Sequence, residues 1–183
     1  MLGVAVAIPQ PHATVLTKWR TQVGDPAAEL VWPHVTLLPP TAVDAVALDD
    51  VETHLASAAR AQQPFVMHLS GTGTFRPTSP VVFIQVATGL AQCEVLERAI
   101  RRGPLDRELD FPYHPHVTVA QGIDDPSLDE AYNGLSGFDA RFPVEKFALF
   151  CREPDGRWVW RAEYHLGTGA FERVTGTGES RIL

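Results

Sequence analysis

The spacing of hydrophobic positions changes several times along the chain, and each change marks an element. Residues Leu2 to Pro9 (LGVAVAIP) are continuously apolar and rich in Val and Ile, which predicts a buried strand. From Ala13 to Val23 the period lengthens, with Leu16, Trp19 and Val23 recurring at helical spacing. Pro33 and Pro39–Pro40 bracket HVTLL, a strand of about five residues by turn logic. Asp44 then caps a helix reaching Arg60, with Val51, Leu55 and Ala58 on one face and Pro64 beyond its end. FVMHLSGTGTF and PVVFIQVAT are strand-like runs separated by the turn-rich RPTSP. Leu90 to Arg102 predicts a helix: Cys93, Leu96 and Ile100 form its stripe, and Gly103–Pro104 stops it. HVTVAQG is another strand, and DPSLDEAYNGLSG a short helix with Asp125 as cap and Pro126 at its first position. FPVEKFALFC and RWVWRAEYHLG flank REPDG and predict a β-hairpin. The polar, Gly/Thr-rich stretch beyond Gly169 reads as a tail, giving one domain over 1–169 and a flexible segment over 170–183.

The order strand, helix, strand, helix, strands occurs twice, a layout consistent with internal duplication. Each half holds one copy of the same tetrapeptide: WPHVTLLPP in the first, YHPHVTVAQG in the second. A pseudo-two-fold arrangement would bring the two motif strands side by side. On a strand, residues i and i+2 share a face. His34 and Thr36 therefore project together, backed by Val35 and Leu37, and His116 and Thr118 do the same, backed by Val117 and Val119. Either copy alone is an ordinary strand start; the pairing carries the signal.

Bulk properties narrow the chemistry. A formal net charge of -7 argues against wrapping long nucleic acid, which needs a basic surface, but leaves room for a small anionic ligand. No apolar run approaches a membrane span, and MLGVAVAIPQP lacks the basic start of a signal peptide. Cys93 and Cys151 fit no metal spacing and no disulfide framework, so buried thiols in a reducing cytoplasm are expected. Two imidazoles across a cleft suit acid–base work, because an ordinary pKa of about 6.5 lets one be neutral and one protonated. Two threonine hydroxyls can donate to the oxygens of a phosphoryl group. Such a site needs no metal and no cofactor.

PHVTLLPP and HPHVTVAQ resemble the two signature motifs of the 2H phosphoesterase superfamily, particularly its 2'-5' RNA ligase-like (LigT-like) branch. The likeness spans most of residues 1 to 168, including GTGTFRPTSPVVFIQV and the closing hairpin. It implies an α+β fold, bilobal and internally duplicated, with two antiparallel sheets and flanking helices around a central cleft. It also implies a metal-independent phosphodiesterase acting on 2',3'-cyclic or 2'-5'-linked nucleotide phosphodiesters or RNA ends. The matching positions are His34, Thr36, His116 and Thr118. Where some family members carry a basic residue after the second motif, this chain has Gln121, which adds hydrogen-bond donors but no charge. The resemblance thus implies phosphodiester hydrolysis rather than RNA ligation, by a monomer.

Other residues admit two readings. Phe75, Trp32 and Tyr113 flank strand ends near the expected cleft, where an aromatic ring either stacks on a base or packs the core; Tyr113 is favoured for a pocket. Arg76 either neutralises a phosphate or is an exposed loop arginine. His114 with His116 forms His-x-His, which opens a zinc-dependent alternative lacking a third ligand at a fitting spacing. A nucleotide-binding module without turnover is the other rival. His12, His54, His68 and His165 have no partner signature, and Arg98, Arg101 and Arg102 read as a solvated helix end.

Overall fold

The computed structural model describes residues 1–174. The opening apolar run forms β1 (Leu2–Ala7), followed by α1 (His12–Gln22) and β2 (His34–Thr41). A short 3-10 turn at Ala45–Ala47 leads into α2 (Leu48–Ala61), and β3 (Phe65–Thr74) and β4 (Val81–Thr88) follow. Next come α3 (Leu90–Ile100), β5 (His116–Gln121) and α4 (Asp125–Gly134). The chain then runs through β6 (Asp139–Val144), β7 (Lys146–Arg152), β8 (Trp158–His165) and β9 (Phe171–Arg173).

The strands make two antiparallel sheets, ordered β2-β1-β7-β8-β9 and β5-β4-β3-β6. Each sheet begins with a motif strand, and its neighbour is the strand that precedes the intervening helix. The duplication is therefore visible in the topology. The motif strands are not hydrogen-bonded neighbours; they are edge strands of separate sheets that pack on one another. The helices are exchanged between the sheets: α1, which follows β1, packs on β5, and α3, which follows β4, packs on β2. One apolar core results, joining Val4, Val6, Val35 and Leu37 to Ile84, Val117, Val119 and Phe147. Each fully buried aliphatic side chain of this kind stabilises the fold by roughly 1.5–3 kcal/mol.

Several boundaries differ from the sequence expectation for local reasons. β2 continues through Pro39 and Pro40, which an edge strand tolerates because its outer N–H groups need no partner. Asp124, not Asp125, caps α4, its side chain accepting from Ser127 N at 2.9 Å. α2 starts at Leu48 without a side-chain cap, and Asp44 closes the preceding turn through its backbone carbonyl. FPVEKFALFC is two strands rather than one: β6 pairs with β3, β7 pairs with β1, and Glu145 alone lies between them. At the start of the expected tail, Phe171–Arg173 adds a strand to the sheet edge; residues 175–183 lie outside the described residues.

Candidate active site

Both motifs are built alike. His34 and Thr36 are half-buried on β2 while Val35, Leu37 and Leu38 are fully buried, and His116, Thr118, Val117, Val119 and Ala120 repeat that pattern on β5. Ala5 pairs with Thr36 and Val4 with Leu38, which leaves Leu37 without a partner. Phe83 pairs with Thr118 and Val82 with Ala120, which leaves Val119 in the same position. Each motif thus ends in a bulge, and the extra residue lets two consecutive aliphatics enter the core. The bulge anchors the strand directly behind the histidine and threonine.

The imidazoles are oriented alike as well. Nδ1 of His34 lies 2.8 Å from the carbonyl of Trp32, and Nδ1 of His116 lies 2.7 Å from that of His114. A carbonyl only accepts, so Nδ1 carries the proton in both rings and Nε2 keeps its lone pair. The Thr36 hydroxyl donates to Nε2 of His34 at 3.1 Å. Burial pulls the His34 pKa down from 6.5 to about 4, with the charges of Arg20 and His116 adding to the effect and the Trp32 carbonyl opposing it. His116 is also held below the ordinary value, by burial first and by the charge of His114, against the pull of the His114 carbonyl.

An aromatic ring seated over a glycine flanks each imidazole. Trp158 stacks on His34 at 5.2 Å between centroids, and a Cβ on Gly3 would meet its indole at 3.0 Å. Phe83 packs on His116 at 5.1 Å, and a Cβ on Gly73 would meet its ring at 2.5 Å. Phe75 adds an edge contact to His116 at 4.9 Å. At Gly73 the Phe83 ring lies where a side chain would stand, whereas at Gly3 a methyl would need Trp158 to give slightly.

A cleft of about 320 Å³ brings Thr36 together with Tyr113, His114, His116 and Arg107. That size falls in the range of small-ligand sites. The Tyr113 hydroxyl donates to the backbone carbonyl of Thr36 at 2.9 Å, tying the approach to the second motif directly to the first. Burial pushes its phenol far above the usual range, so it remains a donor. Arg76 is drawn to α4 instead, bonding Asp129 at 2.7 Å and Asp125 at 3.3 Å, so its charge is already matched. The cleft's cation is Arg107, anchored on β2 through the Pro40 carbonyl and the Thr41 hydroxyl. Gln121 sits at the end of β5 opposite Val81, away from the residues that line the cleft. His114 stacks beside His116 at 6.2 Å, and among the described residues no group of three or more His, Cys, Asp or Glu could hold a metal ion.

Sequence reasoning missed Arg20 and Trp158. Arg20 on α1 is 2% exposed, forms an ion pair with Asp25 at 2.9 Å and donates to the carbonyl of Val31. Asp25 in turn accepts from Ala27 N at 2.9 Å. This pair pins the loop that ends at Trp32, whose carbonyl holds His34. A polar pair so deeply buried is a framework for the histidine rather than a surface contact.

The cleft is lined by Thr36 from the first motif and His116 from the second, and His34 and Thr118 are not among its lining residues. Two packed edge motifs with matched bulges and matched imidazole contacts, on an internally doubled α+β fold, define a two-histidine phosphoesterase architecture. The model of the 2'-5' RNA ligase superfamily matches residues 8–156, and the chain belongs to that family. A Bacillus cereus (strain G9842) relative named "Putative phosphoesterase" is 27% identical over 147 residues, 79% of this chain and 85% of that protein. TT0787 of Thermus thermophilus superimposes with a TM-score of 0.61 at 25% identity, over 91% of this chain and 97% of that one. E. coli LigT complexed with NADP+ gives a TM-score of 0.66 at 22% identity, over the same shares of the two chains. No helix among the described residues is long and apolar enough to cross a membrane.

Proposed function

We propose that this protein is a metal-independent phosphodiesterase acting on 2',3'-cyclic or 2'-5'-linked nucleotide phosphodiesters. The observation that carries the reading is the matched pair of imidazoles, each with Nδ1 on the carbonyl two residues back and each sharing a face with a threonine hydroxyl. A nucleotide substrate is supported by the cleft's size and by the ligands of the similarly folded E. coli LigT, crystallised with 3'-AMP, ATP and NADP+.

His34, the more strongly depressed of the two, is assigned the base. Its Nε2 takes a proton from water as the water oxygen bonds to phosphorus. The opposite P–O bond breaks, and His116 delivers its Nε2 proton to the leaving oxygen. The arriving phosphate anion favours the protonated form of His116 that this step needs. Thr36 and Thr118 donate to the non-bridging oxygens, with the Thr36 hydroxyl swinging from His34 to the phosphoryl group. Proton exchange with solvent restores both rings.

The test is turnover of 2',3'-cyclic nucleotides in excess EDTA. His34→Ala and His116→Ala are each expected to lower kcat by about 100-fold or more. Full activity in the double variant, or activity that EDTA abolishes, would sink the mechanism.

A further inference from the structure

The cleft that takes Thr36 and His116 is also lined by a carboxylate that the acid–base chemistry leaves unused. Helical spacing accounts for its position. Glu97 lies four residues after Cys93 and three before Ile100, so it shares the buried face of α3, the helix that packs on β2. The residue is 3% exposed. Its Oε1 accepts a hydrogen bond from Arg101, whereas Oε2 has no partner among the described residues. The sealed polar atoms that lack a partner there are Trp32 Nε1 and Tyr164 Oη, so Oε2 reaches open space. The open space beside Glu97 is the cleft.

The surroundings leave that oxygen free. Arg101 matches the charge of Glu97 and donates to the backbone carbonyl of Arg107 at 3.0 Å, fixing the segment that carries Arg107. The Tyr113 phenol is pushed up by burial first and then by Cys93, Glu97 and Glu94, and it already donates to the Thr36 carbonyl. Among the described residues, the Arg107 guanidinium meets only uncharged acceptors: the Glu108 and Pro40 carbonyls and the Thr41 hydroxyl. The cleft thus offers one anionic acceptor and one cation without a counter-charge. Leu37, Leu109 and Phe111 supply apolar wall in the same space.

We propose that Glu97 reads the base of the substrate by accepting from an exocyclic amino group, so that adenine, cytosine and guanine are selected over uracil. The proposal rests on reading the cleft as a nucleotide phosphodiester site. A carboxylate only accepts, so the group opposite Oε2 must donate, which excludes phosphate oxygens from that position. A ribose hydroxyl also donates, but the apolar wall suits the faces of a base better than a sugar. The amino groups of adenine, cytosine and guanine each adjoin a ring acceptor, which the Arg107 guanidinium can meet. The one base donor of uracil lies between two carbonyl oxygens, which would face the carboxylate. A buried acceptor discriminates well because a substrate without the donor leaves it unpaired.

The 2',3'-cyclic phosphates of adenosine, cytidine, guanosine and uridine would be compared by kcat/KM, beside an analogue of the preferred base in which hydrogen replaces the amino group. Uridine is expected to be the poorest of the four, and loss of the amino group to cost about 10-fold or more. Glu97→Gln keeps an oxygen for Arg101 and turns an amide N–H to the cleft, so the ratio between the preferred base and uridine should fall toward one. A framework role would lower all four alike and leave that ratio intact. The analogue is tested on the unaltered protein, so the test survives if the variant folds poorly. Equal kcat/KM for the four bases, uridine as the best substrate, or an unchanged ratio in folded Glu97→Gln overturns the proposal. Calorimetry with the four nucleoside 3'-monophosphates separates it from the reading it rests on. Affinities ranked by base, in a protein that leaves every cyclic phosphate intact, sink the acid–base mechanism alone. Turnover without base preference sinks the role of Glu97 alone, and the absence of both binding and turnover sinks both.

Discussion

His34 and His116 occupy matching positions but differ in how far each is held from its ordinary protonation equilibrium, and this fixes the expected pH dependence. With His34 as the proposed base, which must be neutral, kcat/KM is expected to fall as pH drops through the His34 value of about 4. With His116 as the proposed acid, which must be protonated, kcat/KM is also expected to fall as pH rises through the His116 value, which lies below 6.5. A bell with its maximum between these limits is expected from initial rates across pH; a profile still rising at pH 8 would reverse the picture. Tyr113→Phe removes the donor to the Thr36 carbonyl while keeping the ring, and kcat should fall about 10-fold with a smaller change in KM. That His34 shares a face with Thr36, and His116 with Thr118, was legible because a spacing of two on a strand needs no tertiary knowledge. Arg76 was not: its neighbour Phe75 touches the second imidazole, but its carboxylate partners lie 49 and 53 residues further along the chain. Arg20 and Trp158 act on His34 from remote segments, and no local pattern announces them.

Among the elements, the glycines under the rings that flank the imidazoles are unequally tight contacts. Gly73→Ala places a methyl 2.5 Å from Phe83, closer than the 3.0 Å that Gly3→Ala creates against Trp158. Gly73→Ala should therefore be the more damaging, with a larger drop in thermal midpoint and in kcat/KM, because Phe83 must move off His116. Equal effects of the two substitutions would contradict the unequal gaps. At α4, Asp124→Ala should cost about 1 kcal/mol in urea unfolding, and Asp125→Ala much less. Two adjacent aspartates both satisfy the capping preference, so sequence alone does not separate them. The helices and most strands were readable from periodicity. The break at Glu145 was not, since hydrophobic alternation specifies a strand without naming its sheet.

At the level of the whole molecule, the doubled motif announced two lobes but not the exchange of helices between them. α1 and α3 each leave the strand that precedes them and cover the other sheet, so the core is shared. Urea unfolding followed by tryptophan fluorescence and by far-ultraviolet circular dichroism should give coincident single transitions; separated midpoints would mean that the lobes unfold independently. The passage from β6 to β7 has one more consequence. With a single residue between strands in different sheets, and with Leu166 N donating to the Glu145 carbonyl at 2.8 Å, there is no slack for the sheets to swing apart. On the proposed mechanism the two imidazoles would then act like the fixed jaws of a gauge, and a ligand would be selected by what fits rather than by closure around it.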